Sequence, residues 1–284
     1  MITRPTADRP APADRPTPPR LADAVDSIGG FGGVANVIMQ LSWPEVGWGV
    51  RESRVDTGNV YKRPLKRART TFQYLAVAVF GTEEDKRIYK EEVTRIHRMV
   101  HSTPASRVRY SAMDPELQMW VAACLYVGFE DVYLWLHGPM SAADNEAFYQ
   151  SAQTLGTTLQ VRPAQWPATR EAFDDYWEEG KKRIHFDEPV REHLVGLSEL
   201  RMLPQPTTAL FGGLNRWVTS GFLHAEFRDA LGLPWSPVDE RRFQRFLRVT
   251  AALNRLLPAP VRTATYRVLL AEMRWRVRTG RELM

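Results

Sequence analysis

PLKRARTTFQYLAVAVFGTEEDKRIYKEEVTRIHRMVH, residues 64–101, is the stretch that decides how this chain is read. Pro64 suits the first turn of a helix, where its missing N–H is not needed, and no breaker follows until Gly81, after Phe80. Thr82 then offers a hydroxyl to the first turn of the next helix, and Asp85 three residues on gives it a capping-box start. Two consecutive helices, each with its own start signal, point to an all-α fold. On a wheel of about 100° per residue, Tyr89, Val93, Ile96 and Val100 form one narrow stripe of a helix expected over 82–101. His97 sits on the shoulder of that stripe, roughly 70° from its centre, while His101 lies further round, near the helix end. On the preceding helix Arg67, Thr71, Tyr74 and Ala78 share a face that begins with a cation and a hydroxyl and turns small and apolar.

Two readings of His97 stay open on spacing alone: an interior ligand for a metal or cofactor, or a half-buried histidine bonded to a backbone carbonyl. Spacing favours the second. The Arg67 face is equally double. It suits a flat cofactor with an apolar body and carboxylate arms, with Ala78 leaving room, but an arginine reaching solvent or a carboxylate is the commoner arrangement.

Working outward, helical signals continue almost without interruption. Val34, Val37, Ile38 and Leu41 keep a helical spacing after the glycine-rich Gly29–Gly33 stretch and before Pro44. Asp114 followed by Pro115 starts a long apolar helix reaching about His137, and Ser141 caps another that should end near Leu159. Further helices are expected over 169–185, 188–201, 207–219, 222–231, 237–256 and 259–278. Strand alternation is absent, which suits one domain of packed helices over 21–284, preceded by a Pro-rich tail, 1–20, with almost nothing to bury.

A hydrophobic content of 44% in 284 residues permits a substantial core, and a net charge of +5 is modest. Basic and acidic residues alternate, as in 86–98 and 239–248, in the manner of solvated helix faces rather than a nucleic-acid groove. The end of the chain, with Arg274, Arg276, Arg278 and Arg281, is more basic, which leaves a homodimer or a membrane-surface contact open there. The single cysteine, Cys124, lies in an apolar run and reads as a buried small side chain. No apolar run approaches the ~20 residues that span a bilayer, and residues 1–20 lack the apolar core of a secretory signal, so a cytoplasmic location is expected. No H-E-x-x-H, paired E-x-x-H, C-x-x-C, P-loop or nucleophile-elbow pattern is present. His137, His185, His193 and His224 have no ligand-like neighbours in sequence and read as surface or structural residues.

An ordered series of short motifs resembles the MpaB-like and latex-clearing-protein (rubber oxygenase) family. It comprises the Gly29–Val50 region with Leu41-Ser42-Trp43-Pro44, Arg67-x-x-x-Thr71, Phe80-Gly81 and Arg95-Ile96-His97-x-x-Val100. It continues with Tyr110-Ser111-Ala112-Met113-Asp114-Pro115, Trp120-Val121 and Gly138-Pro139-Met140-Ser141, and Met202-Leu203-Pro204 and Leu257-Pro258 fit the looser later half. The resemblance covers roughly residues 30 to 260.

That resemblance implies a globin-like helical core around haem b, with His97 as the axial ligand of the iron and Arg67 and Thr71 in the pocket. It implies an oxygenase using O2 on an apolar, alkene-containing small molecule such as a lipid or terpenoid, with Arg67 and Thr71 as the residues acting on the reaction and Trp43 and Trp120 beside the cofactor. Three positions depart from relatives. Thr70 stands where a lysine can close the distal side of the haem, and Trp43 and Ala122 stand where many relatives have histidine. Alternatives to the oxygenase are a peroxidase-like, coupling or carrier haem protein and a helical ligand-binding module without haem.

Overall fold

The computed structural model describes residues 17–55 and 59–284. The Pro-rich tail expected over 1–20 therefore lies, up to residue 16, outside the described residues. Two short 3-10 turns, Leu21–Ala24 and Ser27–Gly32, lead into α1 (Gly33–Gln40) and α2 (Pro44–Arg51). Next come α3 (Pro64–Phe80), α4 (Glu83–His97) and α5 (Pro115–His137), then α6 (Ala142–Ser151), α7 (Thr154–Thr157), α8 (Arg170–Lys181) and α9 (Glu188–Ser198). The chain closes with α10 (Gln205–Phe222), α11 (Ala225–Leu231), α12 (Pro237–Arg255), α13 (Ala259–Arg262) and α14 (Ala264–Arg278). The expected all-α class is observed: among the described residues β structure is limited to an isolated bridge between His101 and Ser111.

The local signals work as read. The Thr82 hydroxyl accepts from the Asp85 N–H at 3.2 Å while the Asp85 carboxylate accepts from the Thr82 N–H at 2.9 Å, so two orphan donors at the start of α4 are satisfied. Asp114 caps α5 by accepting from Glu116 N–H at 2.8 Å. Three expected spans are corrected. The helix expected to reach His101 stops at His97, where Val100 N–H turns back to the His97 carbonyl at 3.0 Å and the Val100 carbonyl takes Ala112 N–H at 2.9 Å. The segments from Ser141 to Leu159 and over 259–278 each break in two, at Ala152–Gln153 and at Thr263.

α5 is the axle. It is long and apolar enough to cross a membrane by length and composition, contrary to the sequence expectation, but 72% of its most apolar window is buried inside the fold. Its buried residues include Cys124, the free cysteine expected in the core. α1, α7 and the first 3-10 turn pack on this axle, and α14 lies along α3. Ion pairs fasten that last contact: Arg69 to Glu272 at 2.9 Å and, from α14 to α4, Arg274 to Asp85 at 2.7 Å. Arg274 and Arg276 are thus spent on internal carboxylates, which leaves the basic end less open than its sequence reads.

Candidate functional site

α3, α4 and α5 converge on a cavity of about 260 Å³. α3 contributes Arg67, Thr70, Thr71 and Tyr74; α4 contributes Tyr89, Val93, Ile96 and His97; α5 contributes Leu117, Gln118, Val121 and Leu125. α2 and the last residue of the chain, Met284, close it further. A second cavity, of about 360 Å³, adjoins it, and Gln40, Leu41, Val50, Arg67, Thr71 and Leu125 line both. The structure therefore brings Arg67, Thr71 and His97 to one place. Ala78, expected to leave room on the same face, is fully buried instead, with its carbonyl accepting from the Thr154 hydroxyl at 2.7 Å.

His97 is held by a chain of hydrogen bonds that also fixes its tautomer. Thr94 Oγ1 donates to the Lys90 carbonyl at 2.7 Å and so accepts from Gln160 Nε2 at 2.7 Å. With its amide nitrogen turned toward Thr94, Gln160 presents Oε1 to His97 Nδ1 at 3.1 Å. Nδ1 must then carry the proton, and Nε2 keeps its lone pair. Gln160 is itself anchored, its N–H donating to Gln118 Oε1 at 2.9 Å, and Gln118 Nε2 donates to the Ala112 carbonyl at 2.6 Å. Nε2 has no hydrogen-bond partner among the described residues. Burial lowers the His97 pKa below the usual histidine range; the bond to Gln160 works the other way, and the nearby Arg67 charge adds to the lowering. The ring is a neutral imidazole at neutral pH, which is the form that ligates a metal.

Arg67 is the opposite kind of group. Water can reach much of its side chain, and the atoms packed around it lower its pKa where it lines both cavities. Among the described residues its guanidinium has no carboxylate partner and no hydrogen bond. A guanidinium without a counter-charge at the wall of both cavities can receive an anion from them. Thr71 Oγ1 donates to the Arg67 carbonyl at 2.9 Å, leaving its oxygen lone pairs for a ligand. Thr70 Oγ1 makes the same kind of bond, at 3.0 Å. The tyrosines turn their hydroxyls away: Tyr89 donates to the Thr70 carbonyl at 2.9 Å and Tyr74 to the Leu155 carbonyl. Glu45 adds a carboxylate at the wall whose Oε1 takes Arg183 Nη2 at 3.2 Å and whose buried Oε2 is unpartnered among the described residues.

Trp43 and Trp120 lie elsewhere, and their expected place beside a cofactor is corrected. Neither lines either cavity. They stack on each other with ring centroids 4.6 Å apart, and Trp120 stacks on Trp177 at 5.0 Å. Trp43 Nε1 donates to the Gly180 carbonyl at 2.9 Å, and the Arg183 guanidinium caps its ring at 3.6 Å. Gly180 allows this column to close, since a Cβ there would lie 2.6 Å from Trp120 Cζ3. Ala122, the other position where relatives carry histidine, is fully buried. Sequence reasoning missed Gln160, Gln118 and Glu45. It also missed the pair formed by His224 and Asp131, whose Nε2 and Oδ2 are 2.9 Å apart.

Residues 23–252 match the family described as "ER-bound oxygenase mpaB/B'/Rubber oxygenase, catalytic domain". The chain is 49% identical over 250 residues to an uncharacterized protein of Mycobacterium bovis and equally to one of Mycobacterium tuberculosis, covering 88% of this chain and 98% of each relative. No solved structure matches it. The chain belongs to the MpaB and rubber oxygenase catalytic-domain family.

Proposed function

We propose that the two adjoining cavities together bind haem b with His97 as axial ligand, and that the protein is an oxygenase using O2 on an apolar, alkene-containing small molecule, a lipid or terpenoid. The observation that carries this reading is the preset imidazole: Gln160 fixes the proton on Nδ1 and leaves an unpartnered Nε2 at an apolar cavity. Membership of an oxygenase family supports the reaction class.

The residues present fit the group. His97 Nε2 would hold the iron, and the orphaned Arg67 guanidinium would hold a propionate carboxylate. When bound, haem supplies the oxygen chemistry. The chain contributes the setting. Val93, Ile96, Val121 and Leu125 line the cavity with hydrocarbon and would give a bound group an apolar setting. Thr71 Oγ1 orients an oxygen-bearing ligand, and Thr70, its hydroxyl turned to the backbone, offers no lysine-like group to close the distal side. Cleavage of an alkene by O2 places one oxygen on each carbon and needs no external reductant. The same reading has the protein act in the cytoplasm on a small molecule, without nucleic acid, and folds the haem into a globin-like helical core.

A visible spectrum of the purified protein with pyridine haemochrome quantification tests cofactor identity. His97→Ala should abolish the Soret band and the haem content; an unchanged band would overturn the ligand assignment. Oxygen uptake with a panel of alkenes tests the reaction. A haem-loaded protein that consumes no O2 with any of them would favour a peroxidase-like or carrier role.

A further inference from the structure

We propose that the outer face of α12–α14 docks on an anionic lipid bilayer, with the apolar corner between α12 and α14 entering the membrane and the arginines around it holding lipid phosphates. This surface stands whether or not the cavities take haem.

The corner is Leu256-Leu257-Pro258-Ala259-Pro260-Val261, and all six consecutive residues are exposed. Leu256 keeps 78% of its surface open. Single exposed apolar residues are ordinary, but a run of this length works against solubility unless something covers it. Its flanks are pinned. Asn254 Nδ2 donates to Asp26 Oδ2 at 2.8 Å, Arg255 Nη2 donates to the Leu136 carbonyl at 3.2 Å, and the Arg262 carbonyl accepts from Ser27 Oγ at 2.7 Å. The fold therefore holds these apolar side chains outward.

The apolar surface continues along both helices. On α12 the buried residues are Phe243, Leu247, Ala251 and Asn254. At about 100° per residue, Val249 and Leu256 lie opposite them with Leu253 alongside, all exposed. Trp217 on α10 meets Phe246 on α12 at 5.9 Å and Phe222 meets Phe243 at 5.1 Å, so these helices run antiparallel. That register sets the exposed Leu214 and Leu210 beside Val249 and Leu253. On α14 Tyr266, Leu270 and Met273 are buried, and Val268 and Trp275 lie on the opposite side, exposed. The Arg281 guanidinium stacks over the Trp275 ring at 4.4 Å. A tryptophan capped by a cation suits the boundary between hydrocarbon and headgroups.

Charge complementarity identifies the occupant. Residues 237–284 hold eleven arginines and four acidic residues, a net of +7, whereas the whole chain carries +5. Arg262, Arg274 and Arg276 form ion pairs. The other eight are exposed, and none forms an ion pair among the described residues. Elsewhere basic residues are answered: Lys86, Arg87 and Arg95 on α4 each hold a glutamate one turn away. Arg242 and Arg245 share the outward side of α12 with Val249 and Leu256, and Arg267 and Arg278 flank Val268 and Trp275 on α14. An anionic bilayer answers both features at once, taking the apolar side chains into its boundary while the guanidinium groups reach phosphate. A second copy of the same face would instead bring unpaired arginines together.

The test is co-sedimentation of the purified full chain with vesicles of phosphatidylglycerol and phosphatidylcholine in equal parts, and with vesicles of phosphatidylcholine alone. Wild type should sediment with the anionic vesicles, much less with the neutral ones, and be released by about 0.5 M salt. Leu256→Asp/Leu257→Asp should weaken binding at least about tenfold. Arg242→Gln/Arg245→Gln should weaken it about fivefold for each arginine removed. All four positions are exposed, so thermal unfolding should match wild type. Met99→Asp, at an exposed apolar residue after α4, should bind as wild type does. No binding by wild type, equal binding to neutral vesicles, or wild-type binding by either double variant overturns the proposal. Sedimentation equilibrium without lipid addresses the other occupant: a dimer that Leu256→Asp/Leu257→Asp dissolves would assign the face to a second copy and overturn the bilayer.

Discussion

Replacing Gln160 by leucine removes the acceptor that fixes the His97 tautomer, and the consequences can be worked from the bonds around it. Two side-chain bonds disappear, from His97 Nδ1 at 3.1 Å and to Thr94 Oγ1 at 2.7 Å, while the backbone bond to Gln118 remains. If the ring kept its proton on Nδ1, a buried donor would face a hydrocarbon at a cost of about 1–3 kcal/mol. The imidazole has an escape: it can move the proton to Nε2 and leave the acceptor nitrogen toward the leucine. That limits the loss of stability to the lower end of the range, about 1 kcal/mol, or about 2–4 °C in Tm for a domain near this size. The escape removes the lone pair that would ligate iron. Haem affinity should therefore fall further than stability does, by about 10–100-fold, which is about 1.4–2.8 kcal/mol. Gln160→Glu keeps an acceptor and adds negative charge, so it should retain haem and lower its reduction potential. Haem titration followed by Soret absorbance, beside thermal unfolding of the haem-free protein, measures both effects. Wild-type haem affinity in Gln160→Leu, or an equal loss in Gln160→Glu, would refute the reasoning.

Other outcomes follow from the same geometry. Arg67→Leu should leave the stability of the haem-free protein nearly unchanged, because the guanidinium reaches solvent, yet lower that of the haem-loaded protein; melting both forms checks the difference, and Arg67→Lys should behave as wild type in sign. The His224–Asp131 pair gives stability a pH dependence. Burial alone would depress the His224 pKa, but Asp131 and Glu226 outweigh it and leave it raised. The stabilisation is then fully present below the unfolded-state value of about 6.5 and is lost as pH rises through the folded value. Urea midpoints measured across that window should fall with pH in wild type and lose this component in Asp131→Asn. Trp43→Phe, which gives up the bond to the Gly180 carbonyl, should destabilise the fold by about 1–2 kcal/mol without changing haem content.

How much the sequence discloses depends on how far apart the cooperating residues lie. The start of α4 was legible because Thr82 and Asp85 satisfy each other within one turn. Asp114 and Pro115 fix the start of α5 in the same local way. The clustering of Arg67, Thr71 and His97 was partly legible, since each sits on the inward face of its own helix. Periodicity misled at the end of α4, where Val100 continues the apolar stripe although the helix has already stopped; a bond to Ala112 from the following loop settles it. Gln160 carried no signal at all, because its pairing with His97 spans 63 residues and depends on how the turn after α7 packs on α4. Trp43 and Trp120 were located beside a cofactor by resemblance, but their stacking partner Trp177 comes from α8, and only the tertiary fold shows that the column closes on itself.

The choice between a structural and a ligating His97 turns on what its second nitrogen does. A structural histidine in an apolar setting ordinarily satisfies both nitrogens, because an unmatched buried polar atom costs free energy. Here one nitrogen is satisfied with care, through Gln160, Thr94 and Gln118, and the other is left without a partner among the described residues at an apolar cavity. The same cavity holds a guanidinium without a counter-charge among them. A lone pair is answered by a Lewis acid or a proton donor, and a cation by an anion. A fatty acid would answer Arg67 and leave His97 unmet. A bare metal ion would answer His97, but among the described residues no group of three His, Cys, Asp or Glu surrounds it, and Arg67 would repel it. A flat apolar molecule carrying both a metal and carboxylates would answer the two needs together. That joint requirement, rather than either residue alone, is what supports the proposal of haem in the adjoining cavities.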